Sequence, residues 1–427
     1  MITTARKLMG MTKTSPPSTS RRDGRLWFWL VAAAFTVVMA FTTAPTALWS
    51  LFAQRDRFSS LTITIVFAAY AVAVALSLFL AGHLSDWYGR RRLLAFGLAP
   101  NVLAAAVFVV WPALPGLLLA RTLSGLGVGA VTATATAWLA ELDAAGRPAH
   151  NHRRPQTIAA AANLGGLALG GLIAGVIAQW LGHALTLPFL FLGSLIVLSL
   201  LAISFAPETR EPSPPRPPYR PQRVSVPAAS RTRFFAAAIG AAITFSIFGL
   251  ITSLAPSFLA GTLHQPSRAL AGAVSFAMFA AAALAQTLTG ARTPHQLLVA
   301  AIPALLTGVG MLTLAVWVPS PSFGLFLAGD LIAGAGAGLM FKGAIGTVAE
   351  ISLPEHRAEA LSGLYLAAYL GLTGPVIGLG ALTQVASTRV SLLVFSGLLT
   401  LGIFAATPAL LGGRGPNAST QPQPISH

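Results

Sequence analysis

Residues 121–142 read RTLSGLGVGAVTATATAWLAEL, and residues 330–351 read DLIAGAGAGLMFKGAIGTVAEI. Laid over one another, Gly125, Gly127 and Gly129 meet Gly334, Gly336 and Gly338. Ala140-Glu141-Leu142 meets Ala349-Glu350-Ile351, and Arg121 meets Asp330. Agreement of this kind at one offset marks an internal duplication. Two more pairs support it. Ala44-Pro45 in the first apolar run returns as Ala255-Pro256 in the seventh, and Gly170-Gly171 in the fifth faces Gly374-Pro375 in the eleventh. Six apolar runs separate the partners, so both copies cross a membrane in the same direction. The chain reads as two parallel six-helix repeats, the plan of secondary transporters with a site between the halves.

Composition requires the membrane. Of 427 residues, 55% are hydrophobic and 9% charged, against about 25% charged in a soluble domain. Such a chain cannot clothe a water-facing surface, and its mean hydropathy is +0.74. A spanning helix takes about 20 apolar residues. The runs predict twelve: 26–52, 60–82, 92–111, 115–139, 156–180, 184–206, 234–259, 269–289, 296–317, 321–343, 358–380 and 389–411. They are long and unbroken, unlike the alternating strands of a barrel. The expected fold class is all-α integral membrane. Residues 1–25 form an N-terminal tail, 26–206 and 234–411 the two bundles, 207–233 a Pro/Arg-rich linker and 412–427 a C-terminal tail. The first run is too long for the core of a signal peptide, and its Ala-Pro repeat assigns it to the fold. With no cysteine, thiol catalysis and disulfides are excluded. There is no Walker loop for ATP. His150 and His152 sit beside Arg153 and Arg154, which repel a metal ion, so no metal site and no cofactor are expected.

The net charge of +16 is a matter of topology rather than of nucleic acid. With the N-terminus inside, the inner loops collect Arg90, Arg91, Arg92, Arg147, Arg153, Arg154 and the linker arginines, whereas the outer loops hold Arg55, Arg57, Arg268 and Arg389. That is the positive-inside pattern, and it puts both termini in the cytoplasm of a plasma-membrane protein. Trp49, Trp111, Trp180 and Trp317 at expected outer ends, and Trp27, Trp29 and Trp138 at inner ends, read as an interfacial belt.

The loop between helices two and three is Gly82-His83-Leu84-Ser85-Asp86-Trp87-Tyr88-Gly89-Arg90-Arg91-Arg92. It resembles motif A of the major facilitator superfamily. Arg121-xxx-Gly125 resembles the family's motif B, and Pro207-Glu208-Thr209 its PET segment. The resemblance implies that Gly82, Asp86, Gly89, Arg90, Arg91 and Glu141 form a conformational latch. In it Asp86 meets the start of helix eleven near Ser362, and Arg90 bridges to Glu141. The second half departs from the pattern. Its loop, Gly290-Ala291-Arg292-Thr293-Pro294, has no aspartate, which leaves Arg292 to pair with Glu350. Helix five carries Gly170-Gly171 where antiporters of this family have Gly-Pro. These glycines, with Gly125, Gly334, Gly374 and Pro375, are expected at helix contacts.

Ionisable groups within spans are costly and point to function. Arg121 and Asp330 are the deep pair, expected about 9–14 Å from the outer boundary and able to face each other across the repeat axis as coupling residues. Lys342 is expected to snorkel. Thr43, Thr132, Thr134, Thr136, Asn163, Thr244, Gln286, Tyr365 and Tyr369 are the polar residues available to line a cavity or to bond helix to helix. The reading is a transporter, not an enzyme. It rocks two bundles, acts as a monomer, and moves a small amphipathic or drug-like solute outward against protons. Uptake or facilitated diffusion of a metabolite is the alternative, and a membrane enzyme or receptor the remote one. The topology carries its own test. Ser230→Cys is expected to react with an impermeant maleimide only from the cytoplasmic side and Ser267→Cys only from outside; labelling of Ser230→Cys on intact cells would refute the orientation.

Overall fold

A computed structural model describes residues 21–81, 88–146, 153–210, 230–353 and 356–412. Gly82, Asp86, Arg147, His150, His152 and most of the linker lie outside them. Twelve helices are long and apolar enough to span a membrane, and no strand occurs among the described residues. They are α1 (Arg21–Thr43), α2 (Ser60–Ala81), α3 (Arg90–Val110), α4 (Leu114–Gly146), α5 (Arg153–Trp180) and α6 (Leu187–Ser204), then α7 (Arg231–Ser253), α8 (Arg268–Leu288), α9 (Pro294–Trp317), α10 (Phe323–Ile351), α11 (Arg357–Leu382) and α12 (Thr388–Leu411). The protein is a multi-pass membrane protein. Six spans per half bring the start of α1, the end of α6, the start of α7 and the end of α12 to one side, the terminal face; the opposite side is the far face.

The first helix of each half is not the single run the hydropathy suggested. α1 stops at Thr43, passes through a 3-10 turn (Ala44–Leu48) and continues as a short helix (Trp49–Asp56). α7 stops at Ser253 and resumes at Ala255–Gly261. Pro45 and Pro256 stand at these breaks. Proline has no N–H to continue the ladder, and its ring clashes with the preceding turn.

The duplicated glycines do the same work in both halves. Gly125 and Gly129 share one side of α4 and rest on α2: a Cβ on Gly129 would lie 2.5 Å from that of Ser77. Gly127, on another side, rests on Gly97 and Asn101 of α3. In α10, a Cβ on Gly334 or Gly338 would lie 2.5 Å from Met278 or Ala282 of α8, and one on Gly336 would lie 2.8 Å from Leu305 of α9. Spacings of four residues keep side chains on one face, and the absence of a side chain lets backbones close up. So α4 packs between α2 and α3, and α10 between α8 and α9.

Helix five divides its glycines between two partners. Gly166 and Gly170 lie on α1, where Thr43 Oγ1 also donates to the Leu167 carbonyl at 2.8 Å. Gly171 and Gly175 lie on α8 of the other half. The counterpart of the Thr43 bond is Ser246 Oγ to the Gly371 carbonyl, at 2.8 Å. Gly374 departs from expectation. A Cβ there would meet nothing within 4 Å, so it is not a packing position; Gly371, three residues earlier, makes the close contact with Ala242. Pro375 lies inside α11. Two tryptophans of the expected belt also depart from it. Trp49 and Trp138 are buried at 1% and 0% exposure, with Nε1 unpartnered, because they face the bundle rather than lipid. Trp29, Trp111, Trp180 and Trp317 are exposed.

These contacts separate two kinds of glycine by experiment. Gly334→Ala, whose new Cβ meets the Met278 backbone, is expected to lower the melting temperature of the purified protein. Gly374→Ala is expected to leave it unchanged or to raise it, since alanine is favoured over glycine in a helix by about 1 kcal/mol. Equal losses in both would refute the assignment.

Candidate functional site

Three arginines, Arg90, Arg91 and Arg92, occupy the first turn of α3. They are the wrong sign for a helix N-terminus, where the dipole favours anions. The fold corrects this with two carboxylates. Glu208 Oε1 accepts from the Arg90 backbone N–H at 2.7 Å, and Oε2 from that of Arg91 at 3.1 Å. The Arg90 guanidinium, nearly buried, donates through Nε and Nη2 to Glu141 Oε1 at 3.0 and 2.8 Å. Thr209 Oγ1 donates to the other Glu141 oxygen at 2.6 Å. Arg91 Nη1 reaches the Ala206 carbonyl at 3.3 Å.

Gly89 makes room for this arrangement. Its φ of +91° belongs to glycine, and a Cβ would stand 2.5 Å from Glu208 Oε2. The cluster therefore ties the start of α3 to the end of α4 and to the segment after α6, all within the first half. Arg154 of α5 pairs with the buried Asp143 of α4 and lies over the Phe28 ring at 4.7 Å. Glu208 is the residue sequence reasoning quoted without a role. The signal was present, an acid following α6 opposite an arginine-rich helix start, but pairing them needed the fold.

The second half has no such cluster among the described residues. Arg292 and Glu350 form no ion pair there. Lys342 does not simply reach for the boundary: its Nζ donates to the Gln286 carbonyl at 2.7 Å, the Gly290 carbonyl at 3.2 Å and Thr289 Oγ1 at 3.3 Å. It thus caps the C-terminus of α8, where a cation is favoured.

Arg121 and Asp330 are both buried, at 2% and 0% exposure, but they do not meet. Arg121 Nη1 donates to the Thr42 carbonyl at 2.7 Å, and the guanidinium lies over Tyr70 at 4.3 Å and Phe67 at 5.5 Å from the ring centroids. Both oxygens of Asp330 lack a partner. The glycine repeat explains the separation. Arg121 is in line with Gly125 and Gly129 and faces α2; Asp330 is in line with Gly334 and Gly338 and faces α8. The stripe that allows each close contact thus turns the two charges toward different neighbouring helices.

In the middle of the second half, Phe245, Phe248, Phe279, Phe341, Tyr365 and Tyr369 form a connected set of rings from α7, α8, α10 and α11. Phe245 stands 5.1 Å from Phe341 and 5.3 Å from Tyr369; Phe341 stands 5.8 Å from Tyr365. Phe245, Phe341 and both tyrosines are only half-buried. An apolar cleft of about 220 Å³ between α2 and α11 ends on Tyr369. Of the polar residues expected to line a cavity, Thr43 and Thr244 bond between helices, the latter to the Ala337 carbonyl. Thr132 and Thr136 bond within α4.

The halves meet along α5 with α8 and α2 with α11. At the far face Gly380 of α11 rests on Thr64 of α2, and Gly272 of α8 rests on Gly171. Arg268 Nη1 donates to the Ala178 carbonyl at 2.9 Å, and the Arg268 backbone N–H to Gln179 Oε1 at 3.0 Å.

The α3 cap offers a direct test. Gly89→Ala is expected to destabilise the protein by about 1–3 kcal/mol, the range for a non-glycine residue forced into such a conformation. Glu208→Ala, which removes a cap, is expected to cost about 0.5–2 kcal/mol. In the double variant the two losses should not add, since both act on one contact; full additivity in thermal unfolding would separate Gly89 from Glu208.

The comparisons agree with this architecture. The family model described as Major Facilitator Superfamily matches residues 29–306. No curated protein matches the chain. Among solved structures, a bacterial homologue of the human lysosomal transporter Spinster, inward-facing and unoccupied, superposes with a TM-score of 0.69 at 15% identity, covering 94% of this chain and 100% of that one. The same homologue, inward-facing and occupied, gives 0.65 at 17% identity with the same coverage. A point mutant of the nucleoside transporter NupG gives 0.67 at 12% identity, covering 89% of this chain and 98% of that one. With the repeat, the twelve spans and the family match in agreement, the chain belongs to the Major Facilitator Superfamily and is a membrane transporter.

Proposed function

We propose that the protein is a proton-coupled exporter of a small amphipathic or drug-like solute. It works as a monomer in the plasma membrane with both termini cytoplasmic, and the far face is then the outside. The observation that carries the reading is Asp330, a fully buried carboxyl group with neither oxygen partnered. An ionised, unpaired carboxylate at such a place is costly, and taking up a proton removes the cost. A group whose burial changes as the halves rock would therefore bind and release a proton once per cycle. The half-buried aromatic set supports an apolar, ring-bearing solute, because stacked and edge-on rings give binding energy without a fixed hydrogen-bond pattern. The closed α5–α8 contact supports a state that opens toward the cytoplasm. Arg121, held by the Thr42 carbonyl and the Tyr70 ring within its own half, serves as a fixed cation rather than as the partner of the acid in this state.

Uptake or facilitated diffusion is the second reading. Gly171, standing where the family's antiporters carry proline, favours it. Transport in proteoliposomes decides between them. Asp330→Asn is expected to abolish accumulation against a gradient under an imposed pH difference while leaving substrate binding within about twofold, about 0.4 kcal/mol. Concentrative transport by Asp330→Asn would exclude Asp330 as the coupling residue, and facilitated diffusion would then be the function.

A further inference from the structure

Asp330 is not the only orphan at its level. Ser275 Oγ of α8 is also fully buried with no hydrogen-bond partner. Gly334 packs on Met278 and Gly338 on Ala282, a constant stagger that sets Asp330 level with Val274 and Ser275. Two unpartnered polar groups from neighbouring helices thus share one layer of the half.

The paths out of that layer are unequal. Toward the terminal face, Gly334 and Gly338 bring α10 so close to α8 that a Cβ on either would stand 2.5 Å from the Met278 or Ala282 carbonyl oxygen. The rings of Phe248 and Phe279, 4.9 Å apart, fill the space between α7 and α8. Toward α9, a Cβ on Gly329 or Gly336 would stand 2.8 Å from the Leu312 or Leu305 backbone nitrogen. These contacts lie within one half and need not part when the halves rock.

The remaining neighbour is α5 of the other half. A Cβ on Gly171 would be in ordinary contact with that of Ser275, at 3.4 Å, and Gly272 lies against the Gly171 carbonyl. Seven residues nearer the far face than Ser275, about 10 Å along the axis, Arg268 binds the last turn of α5 through Ala178 and Gln179. The Ala178 carbonyl lies at the negative end of the α5 dipole, so a guanidinium there is favoured electrostatically as well as hydrogen-bonded. Arg268 is the single charged residue of α8. Arg154 of α5, Arg231 and Arg233 of α7 and His295 of α9 stand at the terminal ends of their helices, and α11 contributes Tyr365 and Tyr369.

We propose that Asp330 takes up its proton through the α5–α8 seam, on the far side of the membrane, and that Arg268 is the latch that times the uptake. The inference rests on the coupling role given to Asp330 above. With the seam closed, the carboxyl group is sealed from water. When Arg268 releases α5, the seam parts and water reaches Ser275 and then Asp330. One proton passes between the carboxyl oxygen and bulk water, with no other group changed. In an exporter this is the side on which protons must enter.

Infrared difference spectroscopy of the protein in lipid nanodiscs tests the route. The carbonyl band of the protonated carboxyl group is identified as the one missing in Asp330→Asn, and its exchange rate in D2O is followed. Arg268→Ala is expected to exchange about tenfold faster, the ratio expected from losing one charge-assisted hydrogen bond. Arg268→Lys should fall between, because an ammonium group keeps the charge but not the fork. A short bis-maleimide joining Gln179→Cys to Ser267→Cys should slow exchange below the rate of the same variant unbridged. Exchange insensitive to both Arg268 and the bridge would overturn the seam proposal and leave the coupling reading intact. Absence of any band that depends on Asp330 would overturn the coupling reading and the seam proposal together.

Discussion

Everything in this molecule depends on how closely two helical backbones can approach inside lipid. The backbone polar groups are already used within each helix, and lipid offers no hydrophobic force to push apolar helices together. Association must come from contact. Gly125, Gly129, Gly334 and Gly338 supply it by removing side chains along one face, and Gly127 and Gly336 by doing so on a second face. The central helix of each triplet is thereby held on both sides, and a half becomes a rigid body. Rigid halves are what a rocking transporter needs, since motion is then confined to the seams between them.

The same stripes decide where the charges go. Residues four apart lie on one face, so the position before each glycine ladder is carried toward α2 in the first half and α8 in the second. Arginine in that position finds the Thr42 carbonyl and the Tyr70 ring. Aspartate finds no partner at all. The duplication thus produced two equivalent sites and filled them with opposite charges, the cation partly hydrogen-bonded and the carboxyl group without a partner. The asymmetry leaves the unpartnered carboxyl group in the second half, on the helix that packs against α8.

The terminal face shows a similar asymmetry. The first half gathers Arg90, Glu141, Glu208 and Thr209 around the start of α3. In the second half Glu350, the counterpart of Glu141, does not pair with Arg292, and Lys342 closes the end of α8 instead. Both are dipole-matched contacts of opposite sense, an anion at a helix N-terminus and a cation at a C-terminus. Homologous loops have diverged in sequence while still terminating helices at the same face.

The fold was legible from the chain because the signals that specify it are local or periodic. Run length, loop charge and the offset between Gly125-x-Gly127-x-Gly129 and Gly334-x-Gly336-x-Gly338 need no knowledge of contacts. The pairing of Arg90 with Glu141 was reached through the family resemblance, whereas the roles of Glu208 and Arg268 were not reached, because each partner comes from a distant helix end. Arg121 and Asp330 were found by their depth, but their expected meeting was not, since a sequence gives depth and not azimuth. Gly374 shows the same limit: glycine on a helix permits contact without requiring it, and only the crossing of helices decides which glycine is covered. What the sequence determined by itself was how many times the chain crosses the membrane, which repeats match and where charge is buried. The tertiary structure alone decided which faces touch, because packing direction depends on the neighbours of a helix as well as on the helix itself.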